Sequence, residues 1–161
     1  MITARRFIRI KAFQALFQLS NNPQVSTEEA IAFAVRYPMM GIEDDTSDLE
    51  AFKVVFPGDT ENDKSVKDSQ EYLMRLVNGV LENRELIDEK IESRLEDWSL
   101  KRIDSPNLLI LRLATYELFF EEISPSIVIN EAIELTKSFN NEKASKFVNG
   151  VLQGILDTKE A

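Results

Sequence analysis

Three arginines near the start of the chain have the type and spacing to bind phosphate groups. Arg5 and Arg9 are four residues apart and Arg6 lies between them, so a helix would carry them on adjacent rows of one face. Each guanidinium group offers a planar fork of N–H donors that matches a phosphate. Positive charge at a helix N-terminus opposes the helix dipole and lowers stability, which favours a binding role. The alternative is a solvated run of charge.

A second candidate phosphate site lies near the end of the chain. Residues 140–142 precede a helix whose first N–H groups could hold a phosphate, and Lys143 and Lys146 add positive charge. Phe147 follows, and an aromatic ring beside a lysine can hold single-stranded RNA by stacking and charge. The alternative, which the apolar spacing favours, is that Phe147 belongs to the core.

The composition excludes several kinds of catalysis. The chain has 161 residues with no Cys and no His, which excludes disulfides, imidazole catalysis and zinc sites built on these residues. Carboxylate pairs such as Glu131 and Glu134 have no accompanying nucleophile, metal motif or glycine-rich phosphate loop, so we interpret them as solvated helix faces. We therefore predict no catalytic residue, no metal ion and no cofactor.

The charge distribution sets the first helix apart from the remainder. A net charge of −9 by itself disfavours nucleic acid, because an acidic surface repels phosphates. Residues 1–24, however, contain no acidic side chain, and Lys11 adds to their arginines. The N-terminus lacks the apolar segment of a signal peptide, and the longest apolar stretch, residues 108–120, is short and interrupted by charge. We expect a cytoplasmic protein that makes no contact with a membrane.

Apolar residues recur with helical spacing along most of the chain, and no segment alternates with period two, which predicts an all-α fold. Asn83 and Ser105 are predicted as side-chain caps, and Pro106 as the first residue of a helix that is apolar almost all round and therefore central. Seven helices are predicted. The first covers about residues 4–20, the second runs from 26 to before 38, the third begins at about 68, the fourth follows 83, the fifth follows 105, the sixth follows 124, and the last covers about 143–157. The apolar stripe of the fourth helix is formed by Leu86, Ile87, Ile91 and Leu95.

We predict one domain over residues 1–161 with an insert at residues 41–67. The insert is acidic and contains a Pro-Gly-Asp sequence, so most of it is predicted to be a mobile loop, although its apolar patch at residues 49–56 could dock on the domain.

One short sequence occurs twice. Residues 77–81 and residues 148–152 both read VNGVL. A glycine inside a helix lowers stability by about 1 kcal/mol relative to alanine, and close approach of another helix is the usual reason for it. Two similar sub-bundles, each with a glycine at a tight helix crossing, would explain the repetition. Chance similarity of two amphipathic helices would explain it equally well.

Several segments resemble the successive motifs of the NusB family of bacterial transcription antitermination factors. The resemblance begins with the three arginines and covers the chain apart from about residues 41–67. The segments that carry it are AFQALFQ at 12–18, LVNGV at 76–80, WSLKRI at 98–103, ILRLATYEL at 110–118, VINEAIELTKSF at 128–139 and KFVNGVL at 146–152.

This resemblance implies a seven-helix fold of two packed three-helix bundles plus an extra helix. It also implies binding to the boxA element of ribosomal RNA leader transcripts as a heterodimer with NusE, a ribosomal small-subunit protein, within the elongating RNA polymerase complex and its other Nus factors. The implied RNA contacts are Arg5, Arg6, Arg9 and the corner at Lys146 and Phe147, beside Lys143, and the implied NusE contacts are Phe17 and Asn107.

Some positions depart from the family pattern. Phe7 stands where the family often has another arginine, and Ile10 where it often has a glutamate. Asn107 and Leu108 replace an acidic–basic pair, and Lys143 replaces a residue that is often acidic. We predict an RNA-binding factor that is not an enzyme. The alternatives are a helical scaffold that binds only proteins and an accessory domain without direct RNA contact.

Overall fold

The computed structural model describes residues 4–36, 64–96 and 99–160. Within these ranges no strand occurs, and the helices number seven besides one short 3-10 helix, so the predicted all-α class is confirmed. The helices are α1 (Ala4–Asn21), α2 (Thr27–Arg36), α3 (Lys64–Glu82), α4 (Arg84–Glu92), the 3-10 helix (Leu100–Arg102), α5 (Ser105–Phe120), α6 (Pro125–Phe139) and α7 (Glu142–Glu160).

The predicted insert at residues 41–67 is described only from Lys64 onward, and these last residues belong to α3. Its apolar patch at residues 49–56 lies outside the described residues. The helix thus begins before its predicted start at about residue 68. None of the described helices is long and apolar enough to cross a membrane.

Side-chain caps fix two of the helix starts. Ser26 caps α2, because its hydroxyl oxygen accepts a hydrogen bond from the N–H of Glu29 at 3.1 Å. At α5 the predicted cap is wrong by one residue. The cap is Asp104, whose carboxylate accepts from the N–H of Asn107 at 2.9 Å, and Ser105 is already helical. A carboxylate satisfies the same free N–H groups as a hydroxyl and interacts more strongly with the helix dipole.

The predicted cap at Asn83 is also wrong. Asn83 occupies the position before α4, but its side-chain amide donates to the carbonyl of Gly79 at 2.8 Å. The side chain therefore satisfies a carbonyl near the end of α3 instead of an N–H at the start of α4. Within α4, Ile87 and Ile91 are buried as predicted, whereas Leu86 is exposed and lies outside the buried stripe.

The chain divides into two compact units, with the boundary between Asn78 and Gly79 inside α3. The single domain over residues 1–161 stays a prediction. In the first unit, α1 is buried throughout residues 7–16 and packs against α2. The buried face of α2 consists of two alanines, Ala30 and Ala34, and these small side chains allow the two helices to approach closely.

The second unit is organised around α5, which packs against α4, α6 and α7. Every residue from 109 to 118 is buried except Arg112, which confirms the central position predicted for this helix. Arg112 is held by a bidentate pair with Asp88 of α4, with N–O distances of 2.8 and 3.0 Å. Near the C-terminal end of α5, the ammonium group of Lys159 donates to the main-chain oxygen of Leu118.

The two VNGVL segments differ at their glycines. A Cβ atom built on Gly79 would lie 2.2 Å from Cε1 of Tyr116, a distance that real Cβ atoms do not adopt. A Cβ atom on Gly150 would meet nothing within 4 Å. Of the two interpretations of the repeated segment, the tight crossing therefore describes Gly79 and does not describe Gly150.

Candidate nucleic-acid interface

The three arginines of α1 differ in how much of each is available to a ligand. Arg5 is exposed, Arg6 is half-buried, and only 6% of the surface of Arg9 is exposed. The cause is the position of Arg9 within the continuously buried part of α1, next to Ile8 and Ile10. The cationic face predicted from spacing alone is therefore graded, and its accessible charge lies at the N-terminal end.

Lys11 does not belong to this face. It is buried, its ammonium group donates to the side-chain oxygen of Gln14 at 3.2 Å, and it lies 5.4 Å from the ring centre of Phe7. An amide oxygen and an aromatic face both stabilise a buried cation. Phe7 is thus a core residue that supports Lys11.

The structure brings two residues of α3 to the start of α1 that the sequence analysis did not select as functional. The guanidinium carbons of Arg5 and Arg75 lie 4.7 Å and 5.6 Å from the ring centre of Tyr72. A cavity of about 270 Å³ adjoins them, lined by Arg5, Ile8, Asp68, Ser69, Glu71, Tyr72 and Arg75. Tyr72 was recognisable as a core residue, but nothing in the spacing within α3 indicates that α1 brings an arginine to the same ring.

The corner before α7 was predicted to bind a phosphate through the free N–H groups of the helix start, but the structure shows that one of these groups is already bonded. The side-chain oxygen of Asn141 accepts from the N–H of Ala144 at 2.9 Å, so the protein itself caps one of the free N–H groups. Lys143 and Lys146 are both exposed, and Phe147 is half-buried. Two exposed lysines and one half-buried ring therefore lie within about one helical turn.

The two predicted protein contacts have unlike surroundings. Phe17 is half-buried on α1 and stacks on Phe13, with ring centres 6.2 Å apart. Asn107 is buried in the first turn of α5, and its side-chain amide donates to Asp104 at 3.2 Å. In the part of the chain that the structure describes, the side-chain oxygen of Asn107 has no hydrogen-bond donor.

The acidic side chains were interpreted above as solvated helix faces. Among the described residues, no group of three or more acidic side chains is placed to hold a metal ion. Glu134, one of the carboxylates considered above, lies 3.8 Å from the ammonium group of Lys137, and both side chains are largely exposed. This is an ordinary surface pair one helical turn apart.

These features define an all-α protein of seven described helices with accessible basic groups at the start of α1 and at the start of α7, the two regions that the sequence predicted to bind phosphate. A family model described as NusB family matches residues 6–157. The chain therefore belongs to the NusB family. The match includes both basic regions apart from Arg5.

Individual relatives give the same result. The chain is 36% identical over 155 residues to a transcription antitermination protein NusB of Staphylococcus epidermidis, covering 96% of this chain and 99% of the relative. A Staphylococcus aureus protein with the same name is 35% identical over 153 residues, covering 94% and 98%.

Solved structures are similar along nearly the whole chain. The NusB of T. maritima superposes with a TM-score of 0.70 at 34% identity, covering 98% of this chain and 93% of that one. A structure of the antitermination factors NusB and NusE in complex with double-stranded RNA gives a TM-score of 0.71 at 28% identity, covering 98% and 99%.

Proposed function

We propose that this protein is a transcription antitermination factor that binds the boxA element of ribosomal RNA leader transcripts together with NusE. The observation that carries the proposal is the likeness, over 98% of the chain, to a NusB captured with NusE and RNA. The role is one of binding, without catalysis, and we place it in the cytoplasm on the elongating RNA polymerase with the other Nus factors.

The RNA contacts follow from exposure and charge. Arg5 and Arg6 would bind phosphates at the start of α1, and Arg9 would contribute only through its small accessible part. At α7, Lys143 and Lys146 would bind phosphates, and the half-buried ring of Phe147 would contact a base. Local positive charge of this kind is required, because the net charge of −9 otherwise repels RNA.

The protein contacts are proposed at Phe17 and Asn107. Phe17 offers a half-buried ring, and aromatic residues are enriched at protein interfaces. Asn107 is buried, so it would act mainly by shaping the first turn of α5 through its bonds with Asp104. Its side-chain oxygen is buried and has no hydrogen-bond donor among the described residues, so it does not itself face a partner.

A gel-shift titration with boxA RNA and a scrambled RNA, each with and without NusE, tests the proposal. We expect boxA to bind more tightly than the scrambled strand, and NusE to increase the difference. With four cations on phosphates, log affinity against log salt should have a slope of roughly −3 for a single strand. The double variant R5A/R6A should bind at least about tenfold more weakly, since charge-assisted hydrogen bonds contribute roughly 1.5–3 kcal/mol.

The exposed Arg36 at the end of α2 provides the control, because R36A removes one positive charge from the same unit at a position outside the proposed RNA contacts. R36A should bind like the unaltered protein to within about twofold. Equal affinity for both RNAs would contradict the boxA assignment. Binding of NusE with no binding of either RNA would support a scaffold that binds only proteins.

A further inference from the structure

The 3-10 helix of the second unit presents two adjacent cations to solvent. The N–H of Arg102 donates to the main-chain oxygen of Ser99 at 3.0 Å. The N–H of Ile103 donates to the main-chain oxygen of Leu100 at 3.1 Å. Residues three apart share one face of a 3-10 helix, and here Ile103 is buried and Leu100 half-buried, so this face is turned inward. The two residues between them, Lys101 and Arg102, are both exposed, and we call them the 3-10 pair.

The charge of the 3-10 pair is not neutralised by any carboxylate in the described part of the chain. Other cations of the same unit do form such pairs. Arg112 is bonded to Asp88, and Lys137 lies 3.8 Å from Glu134. The 3-10 pair also precedes α5 by less than one turn, where positive charge opposes the helix dipole. Because the protein has 28 acidic and 19 basic side chains, two adjacent cations without an acidic partner indicate a role in binding.

A side-chain bond joins the start of α5 to the corner before α7. The carboxylate of Asp104, the cap of α5, accepts a hydrogen bond from the side-chain amide of Asn140 at 3.4 Å. Arg102 lies two residues before Asp104. Lys143 lies three residues after Asn140. An extended chain spans at most about 3.6 Å per residue, so neither cation is more than about 11 Å along the backbone from its end of the bond.

We propose that the 3-10 pair binds phosphates of the RNA strand that Lys143 and Lys146 hold at the start of α7. The inference rests on the proposed RNA binding and deepens it. It continues the path of the RNA from α7 past the start of α5 onto the 3-10 helix. Arg102 supplies a planar fork that can bind one phosphate with two N–H groups, and Lys101 supplies a point charge.

The side chains around this junction suit a nucleic-acid strand better than a protein surface. The centre of a protein interface is depleted in charge and enriched in aromatic residues. Here the apolar residue of the junction, Ile103, is only 7% exposed. A nucleic-acid strand carries a charge at every nucleotide, and polar side chains bond to its phosphates and sugars. The exposed side chains of the junction are all polar or charged: Lys101, Arg102, Asp104, Asn141 and Lys143.

The test measures binding of fluorescein-labelled boxA RNA, with NusE present, by the 161-residue chain and its variants. Loss of two phosphate contacts should weaken binding by about tenfold in K101A/R102A. With six cations on phosphates, log affinity against log salt should have a slope of roughly −4 for the unaltered protein, and K101A/R102A should return it to about −3. R102K keeps the charge but loses the fork, so its affinity should lie between those of R102A and the unaltered protein.

The double variant R36A/R84A is the matched control. Arg36 on α2 and Arg84 on α4 are exposed and lie outside every proposed RNA contact, so this variant also loses two positive charges. It should bind RNA like the unaltered protein to within about twofold. An equal loss of affinity in R36A/R84A and K101A/R102A would show that net charge alone is responsible, which would overturn the inference.

A second arm tests the path of the strand by shortening the RNA stepwise from each end. One of the two series should reach a length at which K101A/R102A no longer weakens binding while K143A/K146A still does. This result is expected because the strand would then end between α7 and the 3-10 helix. A defect of K101A/R102A that persists at every length that still binds would contradict the continuous path.

The possible failures are distinguishable. If R5A/R6A weakens RNA binding but K101A/R102A binds as tightly as the control, the 3-10 pair is not an RNA contact and the proposed function stands. If the unaltered protein binds no RNA, both are wrong. If K101A/R102A weakens binding of NusE in the absence of RNA, the surface is a protein contact and the inference is overturned. Thermal unfolding of K101A/R102A, whose altered side chains are exposed, should match that of the unaltered protein and so separate binding from folding.

Discussion

Residues 77–81 and residues 148–152 have the same sequence, yet the two segments occupy different environments. Gly79 is buried, with the ring of Tyr116 in the space where a side chain would be, while Gly150 is exposed with open space beside it. The leucines that end the two segments also differ. Leu81 is 39% exposed, and Leu152 is completely buried. The environment of each residue is therefore determined by the helices that pack against the segment, and not by the local sequence.

The contact at Gly79 cannot relax easily, because Tyr116 is held from two sides. Its ring stacks on Phe120 with centres 5.3 Å apart, and its hydroxyl donates to Glu121 at 3.1 Å. A ring fixed in this way cannot move aside for an added methyl group without losing these contacts. Gly79 is thus required by packing, whereas no packing in the described structure requires Gly150.

The largest difference is expected at the two leucines. L152A should lower the free energy of unfolding by about 2–5 kcal/mol, because it leaves a cavity at a fully buried position. Urea denaturation followed by circular dichroism measures this loss. L81A makes the same chemical change at a partly exposed position and should lower the free energy of unfolding by less than about 1.5 kcal/mol. Equal losses would show that the two segments are equivalent in solution.

The next effect concerns the glycine under Tyr116. G79A should lower the free energy of unfolding by about 1–3 kcal/mol, even though alanine is the better helix former, because the added carbon overlaps the ring. The same urea titration measures it. In a Y116L background, adding G79A should lower the free energy of unfolding by less than it does in the unaltered protein, since the obstructing ring is then gone. A stabilised G79A would contradict the close approach.

The smallest effect has the opposite sign. G150A should raise the free energy of unfolding by up to about 1 kcal/mol, because it replaces an exposed glycine inside a helix by the best helix former and meets no neighbouring atom. The change should appear as a small increase in Tm in a thermal unfolding scan. A lower Tm for G150A would mean that another group occupies the open space beside this residue.

The sequence was sufficient for the fold class and for the most buried helix. Apolar residues surround α5 on nearly every side, and such a helix is stable only in the interior. Helix starts were less certain, because neighbouring residues compete for the same N–H groups. Asp104 and Ser105 are both good caps, and only the structure shows that the carboxylate makes the bond.

The candidate site was predictable only in part, and for a physical reason. Helical spacing places Arg5, Arg6 and Arg9 on neighbouring rows, but burial depends on the helices around α1. Spacing could therefore not show that Arg9 is largely enclosed. Nor could it show that Arg75 meets Arg5 over one ring, because that contact joins two helices far apart in sequence.

The bond from Lys159 to the main-chain oxygen of Leu118 has a consequence for protein engineering. It fastens the final turn of α7 to the last turn of α5, across 41 positions of the chain. An affinity tag or fluorophore attached at the C-terminus should therefore be preceded by a flexible spacer after this lysine. A rigid fusion that pulled the lysine away would leave the main-chain oxygen of Leu118 without this donor. The packing of the end of α7 against the end of α5 would then be weakened.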